Sequence, residues 1–225
     1  MTPARREERL RFQAAMKTTS LLALAAVITS PLCHAEKAAE LKPLSAKEGK
    51  LLADESFGTA TLSQSWSTAK GDWQVVEGAL VGKEKKSDNH PAVTMLSLPN
   101  TNSIIKFSLK LDGSEGFSLS LNKEKAHLFR LNVTSKEVTL MKDKDKADPK
   151  SKGGKLAGAE AKFDKGEWHT FLMEIDGPKV SVQTDNGVKL TASDPELDVA
   201  KTGYRFVTKG ESVVLDDIKV WEAAK

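Results

Sequence analysis

Ile104-Ile-Lys-Phe-Ser-Leu-Lys-Leu111 and, six residues on, Phe117-Ser-Leu-Ser-Leu121 decide the fold of this chain. In the first, Ile105, Phe107, Leu109 and Leu111 alternate with Ile104, Lys106, Ser108 and Lys110. In the second the alternation is cleaner. A period of two is the mark of a half-buried strand, because successive side chains of an extended backbone point to opposite faces. The same pattern continues at Phe129, Leu131 and Val133, and again at Phe171, Met173 and Ile175. Val180 and Val182, Tyr204 to Val207, and Val213 to Trp221 supply further strands. Between them lie hairpin signals. Asn186-Gly187 separates Val180–Thr184 from Val188–Thr191 and suits a type I′ turn, which needs positive φ at both central residues. Asp176-Gly177 precedes Val180 in the same way, and Gly113 to Gly116 joins two more strands. No convincing helical run intervenes, so βαβ units are excluded. No internal repeat is visible. The pattern predicts an all-β protein, an antiparallel β-sandwich or jelly roll.

Working outward, the N-terminus reads differently. Met16 to Ala35, MKTTSLLALAAVITSPLCHA, has a basic start at Lys17, an apolar run from Leu21 to Ile28, and a small residue at Ala35. This is the pattern of a secretory signal cleaved after Ala35. The apolar run of eight residues falls well short of the roughly 20 needed to cross a membrane. Large Leu32 ahead of Cys33 argues against a lipoprotein. Arg5, Arg6, Arg9 and Arg11 make either a long basic lead or an upstream stretch before a true start at Met16, the second being preferred. The expected organisation is a signal region over 1–35, an extension over 36–52 that is a short helix or a flexible lead-in, and a sandwich over 53–225. The expected location is periplasmic or extracellular.

Cleavage would change the charge balance. The whole chain of 225 residues carries 34 Lys and Arg against 31 Asp and Glu. The segment to Ala35 holds five of the basic residues and two of the acidic ones, which leaves 29 of each over residues 36–225. The single cysteine goes too, so neither a disulfide framework nor a cysteine zinc site is expected. A dedicated nucleic-acid binder is not expected from so even a balance.

Three further stretches carry a resemblance: Trp73-Gln-Val-Val-Glu-Gly78-Ala-Leu80, Gly166-Glu-Trp168-His169, and the terminal Val214-Leu-Asp216-Asp217-Ile-Lys-Val220-Trp221. In this order they resemble the concanavalin A-like jelly rolls of secreted bacterial proteins known as 3-keto-disaccharide hydrolases or glycoside-hydrolase-family-16-like proteins. The resemblance runs from about Leu51 to Ala223. It implies a concanavalin A-like fold and carbohydrate as the ligand class. The motifs are turn glycines, core tryptophans and a closing strand, so they speak to architecture more than to chemistry.

Glu174 and Asp176 would share a strand face like a glycosidase pair, but position 179 is Lys where the family-16 pattern has a third acid, and Asp176 belongs to its turn. No His-x-His or His-Glu-x-x-His spacing is present. His169, at a strand start, reads as a structural hydrogen-bonding residue. The expected ligand rim gathers His90, His127, Arg130, Asp143 and Asp145. Arg130 faces away from its neighbours Phe129 and Leu131, where its donor fork could grip sugar hydroxyls or pair with an aspartate. Lys142 to Lys155, with six Lys, three Asp, one Pro and two Gly, is expected as an exposed loop. Its Asp143-Lys-Asp145-Lys-Ala-Asp148 fails the EF-hand pattern at Ala147, Asp148 and Gly154. A structural calcium at Glu55 (or Asp54) and Asp216, where first and last strands meet, is the remaining metal candidate. Trp66, Trp73, Trp168 and Trp221 are expected in the core, with Trp66 the best candidate for exposure. Three functions follow: a carbohydrate-binding or carbohydrate-active domain first, a non-catalytic envelope scaffold second, and a hydrolase of 3-keto-disaccharides third.

Overall fold

The computed structural model describes residues 40–225; the expected signal region lies outside the described residues. Fifteen strands follow one another: β1 (Lys47–Glu55), β2 (Trp66–Lys70), β3 (Asp72–Val76), β4 (Ala79–Lys83), β5 (Ala92–Asn100), β6 (Ser103–Leu111), β7 (Ser114–Lys123) and β8 (Ala126–Val133). Then come β9 (Glu137–Lys142), β10 (Gly154–Glu160), β11 (Trp168–Asp176), β12 (Lys179–Thr184), β13 (Lys189–Ser193), β14 (Lys201–Gly210) and β15 (Val213–Ala224). Two short 3-10 turns, Lys86–Asp88 and Pro195–Leu197, are the only helical pieces among the described residues. None is long and apolar enough to cross a membrane.

The strands form two antiparallel sheets. One runs β13-β12-β11-β6-β15-β4-β3 with β1 also on β15; the other runs β10-β9-β8-β7-β14-β5-β2. The alternating residues of the sequence face inward as expected. Ile105, Phe107 and Leu109 from one sheet meet Phe117, Leu119 and Leu121 from the other, all essentially inaccessible to water. Phe107 stacks on Phe171 at 5.2 Å and leans on Phe117 across the sandwich at 5.9 Å. Each such ring contributes roughly 1.5–3 kcal/mol by leaving water. Tyr204 of β14 donates its hydroxyl to Ser103 Oγ of β6 at 2.7 Å, a polar tie between the sheets. Burial pushes its phenol pKa up.

Two local expectations are corrected. The stretch from Lys47 is neither helix nor free lead-in: it is β1, hydrogen-bonded to β15 from Lys47↔Ala224 to Glu55↔Ile218. The hairpin at Asn186-Gly187 is not type I′. Only Gly187 has positive φ, at 93°. Thr184 O accepts from Gly187 N, and Thr184 N donates to Val188 O, the arrangement of a three-residue loop closed by a glycine bulge. The type I′ turn occurs instead at Glu77-Gly78, with φ of 50° and 77°, between β3 and β4.

Strand β15 serves two neighbours along one edge. Val213–Leu215 pair with β4, and from Ile218 on the partner is β1. Between them the register on β6 slips, and Asp217 takes φ 49°. The bulge turns β15 from one partner to the next.

Candidate binding face on the seven-stranded sheet

Alternation sends Leu119, Leu121, Phe129 and Leu131 into the core and their neighbours outward. One row across the outer face reads Met95 (β5), Arg205 (β14), Ser120 (β7), Arg130 (β8), Met141 (β9). Arg205 and Arg130 are two strands apart, about 9–10 Å between backbones. The adjacent row holds Ser118, Asn132 and Thr139. Ser118 Oγ donates to Asn132 Oδ1 at 2.6 Å.

At the β7–β8 and β9–β10 ends this face deepens into an open cleft of about 1210 Å³. Four of the five expected rim residues, His127, Arg130, Asp143 and Asp145, line it. Arg130 binds Asp143 with both arms of its fork, Nε to Oδ2 at 3.0 Å and Nη2 to Oδ1. Asp143 follows β9 directly, and its backbone N–H donates to Leu128 O, which fixes the carboxylate beside Arg130. Asp145 pairs with Lys123 at 2.5 Å and caps its own loop by accepting from Ala147 N. The Lys123 hydrogen bond holds its carboxyl below the usual range. Of the stretch from Lys142 to Lys155 expected as an exposed loop, Lys142 ends β9 and Gly154 and Lys155 begin β10; between them Lys144 and the residues from Lys146 to Lys150 are exposed, Asp143 and Asp145 are half-buried, and Ser151 is buried, its Oγ accepting from Asp145 N.

His127 Nδ1 donates to Asn122 Oδ1 at 2.8 Å, which leaves Nε2 as the acceptor of the neutral ring. Burial first, then the positive charge of Arg205, hold its pKa below the ordinary value; Asp143 opposes them. The ring is therefore neutral at pH 7.

His90 does not join this group. It follows the 3-10 turn at Lys86–Asp88, is exposed, and donates from Nδ1 to Pro91 O at 2.7 Å. The expectation that it shares the rim is corrected, because the strand it leads, β5, reaches the arginine row only at Met95. Arg205 and Asn122 are the residues that sequence reasoning missed. Arg205 lies 75 positions from Arg130, and only the pairing of β14 with β7 and of β7 with β8 sets them in one row.

The other candidates are elsewhere. Glu174 is 2% exposed and lies on the opposite sheet. Its carboxylate accepts from Leu44 N, Ser45 N, Ser45 Oγ, Ala46 N and Ser181 Oγ. It clamps the chain before β1, which ends its reading as a glycosidase acid. His169 Nδ1 meets Asp185 Oδ1 at 3.1 Å and its ring stands edge-on to Phe163, a structural role as expected. Trp66 and Trp73 are buried, but Trp168 is 43% exposed and carries Lys110 Nζ over its ring at 5.0 Å. The exposed tryptophan is therefore Trp168 and not Trp66. Asp54 is engaged by Lys219 at 3.2 Å, and Asp216 Oδ1 accepts from Asp217 N. Glu55, the other residue named for the calcium, accepts at Oε1 from Ser63 Oγ at 3.4 Å.

No family model matches the chain, and no curated protein sequence matches it. Solved structures do. Carbohydrate-binding module CBM66 from Bacillus subtilis aligns with a TM-score of 0.58 at 13% identity, over 70% of this chain and 96% of that one. Porphyranase B from Zobellia galactanivorans gives 0.58 at 10% identity, over 76% and 91%. SCLam, a non-specific endo-β-1,3(4)-glucanase from family GH16, gives 0.57 at 11%, over 81% and 94%. At such identities the likeness defines the fold, a concanavalin A-like jelly roll, and nothing finer.

Proposed function

We propose that this protein is an exported carbohydrate-binding β-sandwich whose glycan site is the cleft on the outer face of the seven-stranded sheet. The observation that carries the reading is the row Met95–Arg205–Ser120–Arg130–Met141. It combines forked donors with apolar contact surface on rigid strands, and the neutral His127 beside it supplies an acceptor. Sugars present both needs, hydroxyls on the ring edge and C–H groups on its faces. Strand-borne side chains hold position better than loop-borne ones, which suits recognition. The solved relatives in fold include a carbohydrate-binding module and two glycan-cleaving enzymes, which supports the ligand class.

Binding is favoured over catalysis by the state of the cleft's acids. Hydrolysis of a glycoside, including the 3-keto-disaccharide cleavage implied by the resemblance, would use one carboxyl to donate a proton. Asp143 is committed to Arg130 and Asp145 to Lys123, and the latter is held ionised. Neither is placed as a proton donor, and the remaining acid of the lining, Glu124, is exposed at the turn between β7 and β8. The test is retention of the protein in gels containing a panel of polysaccharides, with release of sugar measured alongside. Retention lost in Arg130→Ala, with no sugar released by the parent protein, is the expected outcome. Product release that disappears in His127→Ala would make the protein an enzyme, and no retention on any glycan would leave the scaffold reading.

A further inference from the structure

Residues 36–225 balance 29 basic against 29 acidic side chains, but the cleft does not share that balance. Asp143 is consumed by Arg130 and Asp145 by Lys123. Lys142, in the cleft wall, is itself taken by Asp194 and Glu196 on the far side. Lys125, Lys144 and Lys146 then face Glu124 alone around the opening. Arg205, half-buried in a groove that adjoins the cleft and shares Met95, Asn122 and Thr202 with it, forms no ion pair with a carboxylate among the described residues; Asp143, whose charge reaches it, belongs to Arg130. Between the two arginines in the row sits Ser120, fully buried, with an Oγ that has no hydrogen-bond partner. The His127 pKa is lowered first by burial and next by Arg205, with Arg130 and Lys146 adding to this and Asp143 opposing it.

A guanidinium beside a cleft, unpaired and half-buried, is poised for an ionised oxygen group, since its planar fork matches carboxylate and sulfate and part of its desolvation is already accomplished. We propose that the cleft binds an acidic saccharide, with its carboxylate or sulfate held by Arg205 and its neighbouring oxygens by Arg130, which Asp143 orients. This rests on the carbohydrate-binding reading above and narrows it to glycans carrying negative charge.

The experiment compares retention of the full chain in gels containing polygalacturonate, its fully methyl-esterified form, dextran sulfate, dextran and polyphosphate. Retention by at least one acidic polysaccharide is expected, weaker by about tenfold or more for its uncharged counterpart, as loss of a charge-assisted pair implies. Polygalacturonate and dextran sulfate separate a carboxylate ligand from a sulfate one. Arg205→Gln weakens that retention by about tenfold with an unchanged melting temperature, while Arg205→Lys restores only part of it because a point charge lacks the fork. Equal retention by charged and uncharged forms would overturn the acidic ligand and leave the glycan reading standing. Equal retention by polyphosphate would overturn it as simple ion exchange, as would an Arg205→Gln variant that binds normally. Failure of every polysaccharide to retain the protein would overturn both.

Discussion

Replacing Glu174 by Gln should detach the chain ahead of β1 and lower the melting temperature by about 6–12 °C at pH 7. The oxygens of Glu174 accept from three consecutive backbone N–H groups, Leu44, Ser45 and Ala46, from Ser45 Oγ at 2.6 Å and from Ser181 Oγ at 3.2 Å. Hydrogen bonds to a charged group are worth roughly 1.5–3 kcal/mol each, but five cannot simply be added, because taking a carboxylate to 2% exposure costs several kcal/mol in return. A net contribution of about 3 kcal/mol is consistent with both terms. For a domain of this size each kcal/mol moves the midpoint by about 2–4 °C. The sign of the pH dependence follows from the same contacts. Burial works against the charged form, yet the donors from Ser45, Ala46 and Leu44 outweigh it and hold the pKa below its ordinary 4.5. The folded state thus binds the proton less readily than the unfolded one. The stabilisation is complete above about pH 4.5 and disappears as the pH falls through the lower folded value. Calorimetry of the parent and Glu174→Gln proteins from pH 7 to pH 3, with hydrogen exchange at Leu44–Ala46, reads both effects. A shift below about 2 °C at pH 7, or a difference that persists undiminished at the acid end, would refute the reasoning.

Other consequences can be checked with the same equipment. Gly203 has φ 141°, and a Cβ there would lie 2.2 Å from Leu96 O and 2.7 Å from Leu98 N, so Gly203→Ala should cost about 3 kcal/mol or more, or prevent folding; Gly78→Ala, at φ 77° with open space around it, should cost only about 1–2 kcal/mol. Lys201 is 2% exposed and its ammonium donates to the carbonyls of Thr101, Leu197 and Val199, so Lys201→Met should lose about 2–4 kcal/mol in denaturant unfolding by orphaning all three. A structural calcium held at Glu55 and Asp216 would make a chelator lower the melting temperature, and an unchanged midpoint would remove it.

The sandwich was legible because burial of one face imposes a two-residue period, which β6, β7 and β8 display; β11 and β12 alternate in sequence at Phe171, Met173, Ile175, Val180 and Val182 although both their faces are buried. Strand β1 was not. Lys47-Glu-Gly-Lys-Leu-Leu-Ala-Asp-Glu55 has helix-leaning composition and no alternation, and its extended form comes from hydrogen bonds offered by β15 some 170 positions away. Strand propensity is weak beside such pairing. Within the site, Arg130 was readable from its place between Phe129 and Leu131, and Asp143 came with the lysine-rich loop next to it. Arg205 sits in the same alternation, between Tyr204 and Phe206, but nothing local links it to Arg130; only the order of strands in the sheet does. His90 failed for the complementary reason, a polar loop of the right chemistry delivered to a different place.

The central claim is that the outer face of the seven-stranded sheet holds a glycan through its arginine row. Titration calorimetry of the parent protein and Arg130→Ala with whichever polysaccharide retains the parent is its most direct test. The account predicts saturable binding by the parent, loss of at least about 90% of the affinity in the variant, as removal of a charge-assisted pair implies, and a variant that stays folded although it loses its pair with Asp143. Undiminished binding by Arg130→Ala would place the glycan somewhere else on the sandwich and contradict the account.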